Sequence, residues 1–99
     1  MSEITKFSDI EVPSLYEGTE RIRFRDLVGK EIIVKDVTFL LGDFGEYAVF
    51  EFQFLGDEKR YSTSTGAKIV MFRLRNLHST GKLPAQGKVV KEGRHYDII

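Results

Sequence analysis

The sequence predicts a mainly β domain of five strands with one α-helix between the third and the fourth. Three observations lead there. Residues 46–55 alternate apolar and polar with a period of two, residues 64–78 carry apolar side chains at helical spacing, and glycine-containing turns separate short β-branched runs on either side. Ninety-nine residues fit one domain. A hydrophobic fraction of 41%, with eight Phe and four Tyr, gives that domain enough apolar surface for a core.

The elements follow in order. Residues 1–20 read as an acidic, flexible N-terminal arm: Glu3, Asp9, Glu11, Glu17 and Glu20 stand against Lys6 alone, and Pro13 and Gly18 break any period. Ile10, Val12 and Leu15 are its candidates for docking on a neighbouring surface. Residues 21–99 form the domain. Asp26 to Gly29 turn into a first strand, Glu31–Leu40, rich in β-branched residues. Ile32 and Val34 fall on one face and Val37 and Phe39 on the other, so a mid-strand bulge is needed to bring all four to one core. The second strand, Glu46–Leu55, puts Ala48, Phe50, Phe52 and Phe54 inward and Tyr47, Val49, Glu51 and Gln53 outward. A turn at Gly56-Asp57-Glu58 leads to a third strand, Lys59–Thr63.

The helix is expected over Ser64–His78. Ser64 or Thr65 would cap it, Ile69, Val70, Leu74 and Leu77 would form the buried stripe, and Arg73 would lie at its margin. Lys68, Phe72 and Arg75 share a second side, spaced by four and three. Gly81 and Pro84 end the helix; Lys88–Lys91 and His95–Ile99 are the last two strands. Five strands with a helix between the third and fourth is the element order of the five-stranded OB-fold barrel. An SH3-like barrel with an inserted helix, or a ubiquitin-like roll, has similar content, but the roll places its helix after two strands.

Several chemistries are poorly supported. The chain has no Cys, which removes disulfides, thiolate nucleophiles and cysteine-based zinc sites. His78 and His95 lack metal-ligand spacing, none of the Gly-Lys pairs completes a phosphate-binding P-loop, and no nucleophile elbow surrounds the hydroxyls at 62–65. Those hydroxyls instead suit a strand end and helix cap, or bonds to a ligand phosphate. No enzyme activity and no cofactor or metal is expected. No apolar run approaches the roughly 20 residues of a membrane span, and the N-terminus is polar and acidic rather than signal-like, so a soluble cytoplasmic protein is expected.

Net charge is zero but unevenly spread. Residues 1–56 carry 6 Lys/Arg and 11 Asp/Glu, whereas residues 57–99 carry 9 and 4. A basic side and an acidic side are one outcome, and a mixed solvated surface is the other. In OB architecture a ligand lies across strands two and three, flanked by the loop after strand one and the loop between strands four and five. Bases need aromatic faces to stack on and phosphates need cations. Phe44, Tyr47 and Tyr61 are the aromatic candidates, and Lys59, Arg60, Lys91 and Arg94 the cationic ones. Glu51 runs against this, because a carboxylate repels phosphate. Arg21, Arg23 and Arg25 place three cations on one side of an extended segment, to line a groove or to pair with acids of the arm.

The run Asp26-Leu27-Val28-Gly29-Lys30-Glu31-Ile32, with Glu46–Phe50, Tyr61–Gly66, Leu83-Pro84-Ala85 and Gly93-Arg94-His95-Tyr96, resembles small OB-fold single-stranded DNA-binding proteins of bacteriophages and mobile elements. The resemblance spans about residues 22–99 and rests on short, mostly structural motifs. It implies a non-catalytic protein that coats or protects single-stranded DNA in replication or recombination, in a bacterial or infected host cell. The expected partners are single-stranded DNA and a replication or recombination protein, with self-association left open. The alternative is a protein-interaction module engaging a replication or other phage–host partner. The acidic C-terminal tail of the usual bacterial single-strand binders has no counterpart in Tyr96-Asp97-Ile98-Ile99. The acids lie in the N-terminal arm instead, where they could mimic phosphates over the basic side.

Overall fold

A computed structural model describes residues 16–99. The first 15 residues of the expected arm, with Ile10, Val12 and Leu15, lie outside the described residues. The described chain forms six strands, β1 (Glu20–Arg21), β2 (Glu31–Gly42), β3 (Gly45–Phe54), β4 (Tyr61–Thr65), β5 (Ala85–Glu92) and β6 (His95–Ile98), and one helix, α1 (Lys68–Ser79). A 3₁₀ turn, Phe24–Leu27, precedes β2.

The strands make one mixed, open sheet in the order β1-β4-β3-β2-β5-β6. This corrects the expected five-stranded OB barrel: there is a sixth strand, and the sheet does not close. The physical reason lies at the outer edge of β4. A barrel would close by pairing that edge with β6. Here β1 occupies it, pairing in parallel through Glu20↔Tyr61 and Arg21↔Ser62. The amide of Glu20 donates to the Arg60 carbonyl (3.1 Å), and that of Ile22 to the Ser62 carbonyl (2.9 Å). Two residues are too few to show a strand period, so β1 left no pattern to read.

The long strand β2 holds the sheet together, pairing with β3 along its length and with β5 through Glu31–Val34. Its register against β3 shifts between Val34 and Asp36. That is the bulge required by the apolar pattern, and it brings Ile32, Val34 and Val37 into the same core. From β3, Ala48, Phe50 and Phe52 are fully buried, with Phe54 partly buried at the margin. The ring of Phe24 meets Phe50 and Tyr96 edge-on, at 6.3 and 5.5 Å. Tyr61 stacks on Phe52 at 5.7 Å. Rings of this size and spacing add to area burial through edge and offset contacts.

The helix starts at Lys68, later than its sequence pattern suggests, because β4 runs on to Thr65 rather than stopping at Thr63. Ala67 takes the capping position with no side-chain bond; the Thr65 hydroxyl accepts from the Ala67 amide instead, at 3.2 Å. Val70, Met71 and Leu74 are the buried stripe, while Ile69 is exposed. Met71 thus takes the inward place expected of Ile69.

Candidate functional site

The outer face of β3 and β4, where an OB ligand would lie, is covered by the chain itself. Tyr16 is buried there, its hydroxyl 2.9 Å from the Thr38 hydroxyl and donating to the Val49 carbonyl. Burial pushes the Tyr16 phenol above its ordinary pKa, against the opposing hydrogen bond to Thr38. The Thr19 hydroxyl lies 3.0 Å from that of Ser62, and the Arg21 guanidinium donates to the Ser64 hydroxyl at 3.0 Å.

Several candidate residues have partners within the described residues. Arg60 grips Glu51 with two hydrogen bonds, 3.1 and 2.8 Å long, and this holds the Glu51 carboxyl below its ordinary pKa. The carboxylate that stood against a phosphate path is thus neutralised within the sheet, and its partner is no free phosphate contact. Lys59 pairs with Glu20 at 3.3 Å. The Tyr61 ring lies in the core and is closed to stacking by a base; burial raises its pKa, as does its hydroxyl's bond to Asp57. Three of the seven candidates, Lys59, Arg60 and Tyr61, thus each have a partner among the described residues.

The other four lie elsewhere. Phe44 is fully exposed at the β2–β3 turn, beside exposed Leu41. Tyr47 is half-buried against the backbone of Gly42, where an added Cβ would come within 3.1 Å of its ring. Phe44, Tyr47 and Gly66 line one hollow. Lys91 sits over the Tyr96 ring at 5.5 Å, and Arg94 lies in the β5–β6 turn.

Arg94 belongs to a larger cavity of about 940 Å³, in the gap that the open sheet leaves between β4 and β6. One wall is the segment entering β2, with Arg23, Phe24 and Arg25; another is the β4–α1 connection from Ser64 to Ile69; the third is Arg94, His95 and Tyr96. Gly66 lines both this cavity and the hollow under Phe44, so the two adjoin. No carboxylate is among the described residues of the lining. Arg23, Arg25, Lys68 and Arg94 take part in none of the ion pairs formed among the described residues. The first turn of α1 has no acid and no side-chain cap, so its backbone amides add positive potential to the same space.

Of the expected site, the structure brings Arg94 into this cavity and sets Phe44 and Tyr47 beside it. Lys68 was absent from the expected site, and the sequence offers Arg23 and Arg25 only as cations that line a groove or pair with acids of the arm. The alternation of Arg21, Arg23 and Arg25 was the available signal, and the 3₁₀ turn explains how its last two members reach the cavity while Arg21 stays in β1, bonded to Ser64 of β4. Elsewhere, Arg73 pairs with Asp97 and Arg75 with Glu46 on the exposed side of α1. Among the described residues no group of three or more His, Asp or Glu is placed to hold a metal, and no helix is long and apolar enough to cross a membrane. No family model matches the chain, and no curated protein or solved structure shows significant similarity to it.

Proposed function

We propose that this chain is a non-catalytic single-stranded DNA-binding protein that coats or protects DNA during replication or recombination of a phage or mobile element. The observation that carries the reading is the cavity between β4 and β6, with four cations left without an acidic partner among the described residues. Cations held apart from carboxylates keep their attraction for phosphate, and releasing counterions from the strand supplies much of the affinity. Partly buried Tyr96 lines the cavity, and Phe44 and Tyr47 lie across Gly66 from it, where exposed Phe44 suits stacking of unpaired bases. With β1 set aside, the remaining five strands and the helix follow the OB element order, opened where β1 has taken the edge of β4.

Fluorescence anisotropy with labelled oligonucleotides tests this. Single strands should bind more tightly than duplex. Affinity should fall with salt, with about −0.7 in the log–log slope for each phosphate contacted on a single strand. Absence of binding at low salt ends the proposal.

A protein-interaction role has one observation of its own. Phe72 and Ile99, each about two-thirds exposed, border an apolar cavity of about 270 Å³ between α1 and the β5–β6 pair. A pull-down partner that survives nuclease treatment and is lost on Phe72→Ser supports that role.

A further inference from the structure

We infer that the cavity between β4 and β6 is a site for a terminal phosphomonoester, the phosphorylated end of a single strand, rather than for the phosphodiesters within one. The inference rests on the single-strand reading above and names the part of the strand that this cavity takes. The charge balance points first in this direction. Arg23, Arg25, Lys68 and Arg94 converge on one cavity with no carboxylate among the described residues lining it. A diester phosphate carries one negative charge and two free oxygens. A monoester carries about −1.5 to −2 near neutral pH and offers three strong acceptor oxygens. Four cations lining one cavity offer an end group more charge than a single passing diester carries, with forked guanidinium donors matching phosphate geometry.

Shape points the same way. The rings of Phe24 and Tyr96 meet edge-on at 5.5 Å and join two walls of the cavity. The volume of about 940 Å³ falls in the range of sites that hold a molecule the size of a nucleotide. The hydroxyl of Ser64 accepts from Arg21 and keeps its own O–H free, which adds a neutral donor beside the four cations.

The test uses the full chain and three probes: oligo-dT with a 5′-phosphate, the same oligo-dT with a 5′-hydroxyl, and thymidine 5′-monophosphate as a competitor. A 3′-phosphorylated strand distinguishes which end is held. The phosphorylated strand should bind about tenfold more tightly, the gain of one additional charge-assisted hydrogen bond. Arg25→Ala should abolish that preference, and Lys82→Ala, which removes an exposed cation outside the cavity, should keep it. Equal affinity for phosphorylated and hydroxyl ends overturns the inference and leaves the single-strand reading intact. Binding of the mononucleotide without binding of any strand upholds the phosphomonoester site and removes the single-strand reading. If none of the probes binds, both fail.

Discussion

Thr63 lies in the middle of β4, opposite Phe50, and is 1% exposed. Its hydroxyl has no hydrogen-bond partner within the described residues. In the unfolded chain that hydroxyl is hydrated, so folding strips its water and returns nothing. An unsatisfied buried hydroxyl costs about 1–3 kcal/mol. Thr63→Val removes the polar atom and puts a methyl of similar size against Phe50. The substitution should stabilise the protein by about 1–2 kcal/mol, once some loss for imperfect fit is allowed. In a domain of this size each kcal/mol moves Tm by about 4–8 °C. Thr63→Ser keeps the hydroxyl and removes the methyl, and should destabilise. The assay is urea unfolding with the midpoint and slope read separately, supported by calorimetry. A lower midpoint for Thr63→Val at unchanged slope would refute the reasoning, because it would mean the hydroxyl is partnered in the native protein. Oligonucleotide affinity should not move in either variant, since Thr63 is not in the lining of the cavity.

Arg94→Ala should weaken oligonucleotide binding evenly across sequences and reduce the salt slope by about one, measured by anisotropy at several salt concentrations. Gly87→Ala should destabilise by about 1–3 kcal/mol in chemical denaturation, because the new Cβ would lie 2.6 Å from Ile98 Cγ2 and 3.3 Å from the Ile99 carbonyl oxygen. The carboxyls of Glu51 and Asp97 are held below their ordinary pKa by Arg60 and Arg73. Their contribution is therefore present above the ordinary carboxylate value and is lost as pH falls below about 4 toward the lowered values. The stability gap between the native protein and the double variant Glu51→Gln, Asp97→Asn should accordingly narrow from pH 6 to pH 3, as read by unfolding midpoints.

Much of the sheet was legible because burial on one face writes a period into a strand. The alternation from Ala48 to Phe54 places β3, and the phase slip between Val34 and Val37 locates the bulge in β2. The helix was legible in kind but not in start. Ser64 and Thr65 look like caps, yet they also suit a strand, and pairing of Ala48 with Thr65 and Val49 with Ser64 decided for the strand. Tyr61 shows why a candidate site is harder to read than a fold. An aromatic at the start of a strand has the same letter whether it faces a ligand or stacks on Phe52, and only the third dimension separates the two. Arg60 and Glu51, nine residues apart, meet across the β3–β4 pair, and neither residue alone foretells that each cancels the other. The cavity was hidden for a similar reason. Its cations come from three separate stretches, and it exists because the sheet is open there.

The two residues of β1 have a consequence beyond the site. An unpaired strand edge is a template on which another polypeptide can add itself, and proteins protect such edges by covering them. The outer edge of β4 is covered by a short piece of the same chain, whose amides at Glu20 and Ile22 take the carbonyls of Arg60 and Ser62. Short cover is quickly lost, so opening of this segment should precede global unfolding and appear as early hydrogen exchange at those amides. Each such opening would bare a hydroxyl-rich strand to its neighbours in solution. The shelf life of the protein at high concentration is then set less by the stability of its core than by how firmly a few residues near Glu20 stay in place.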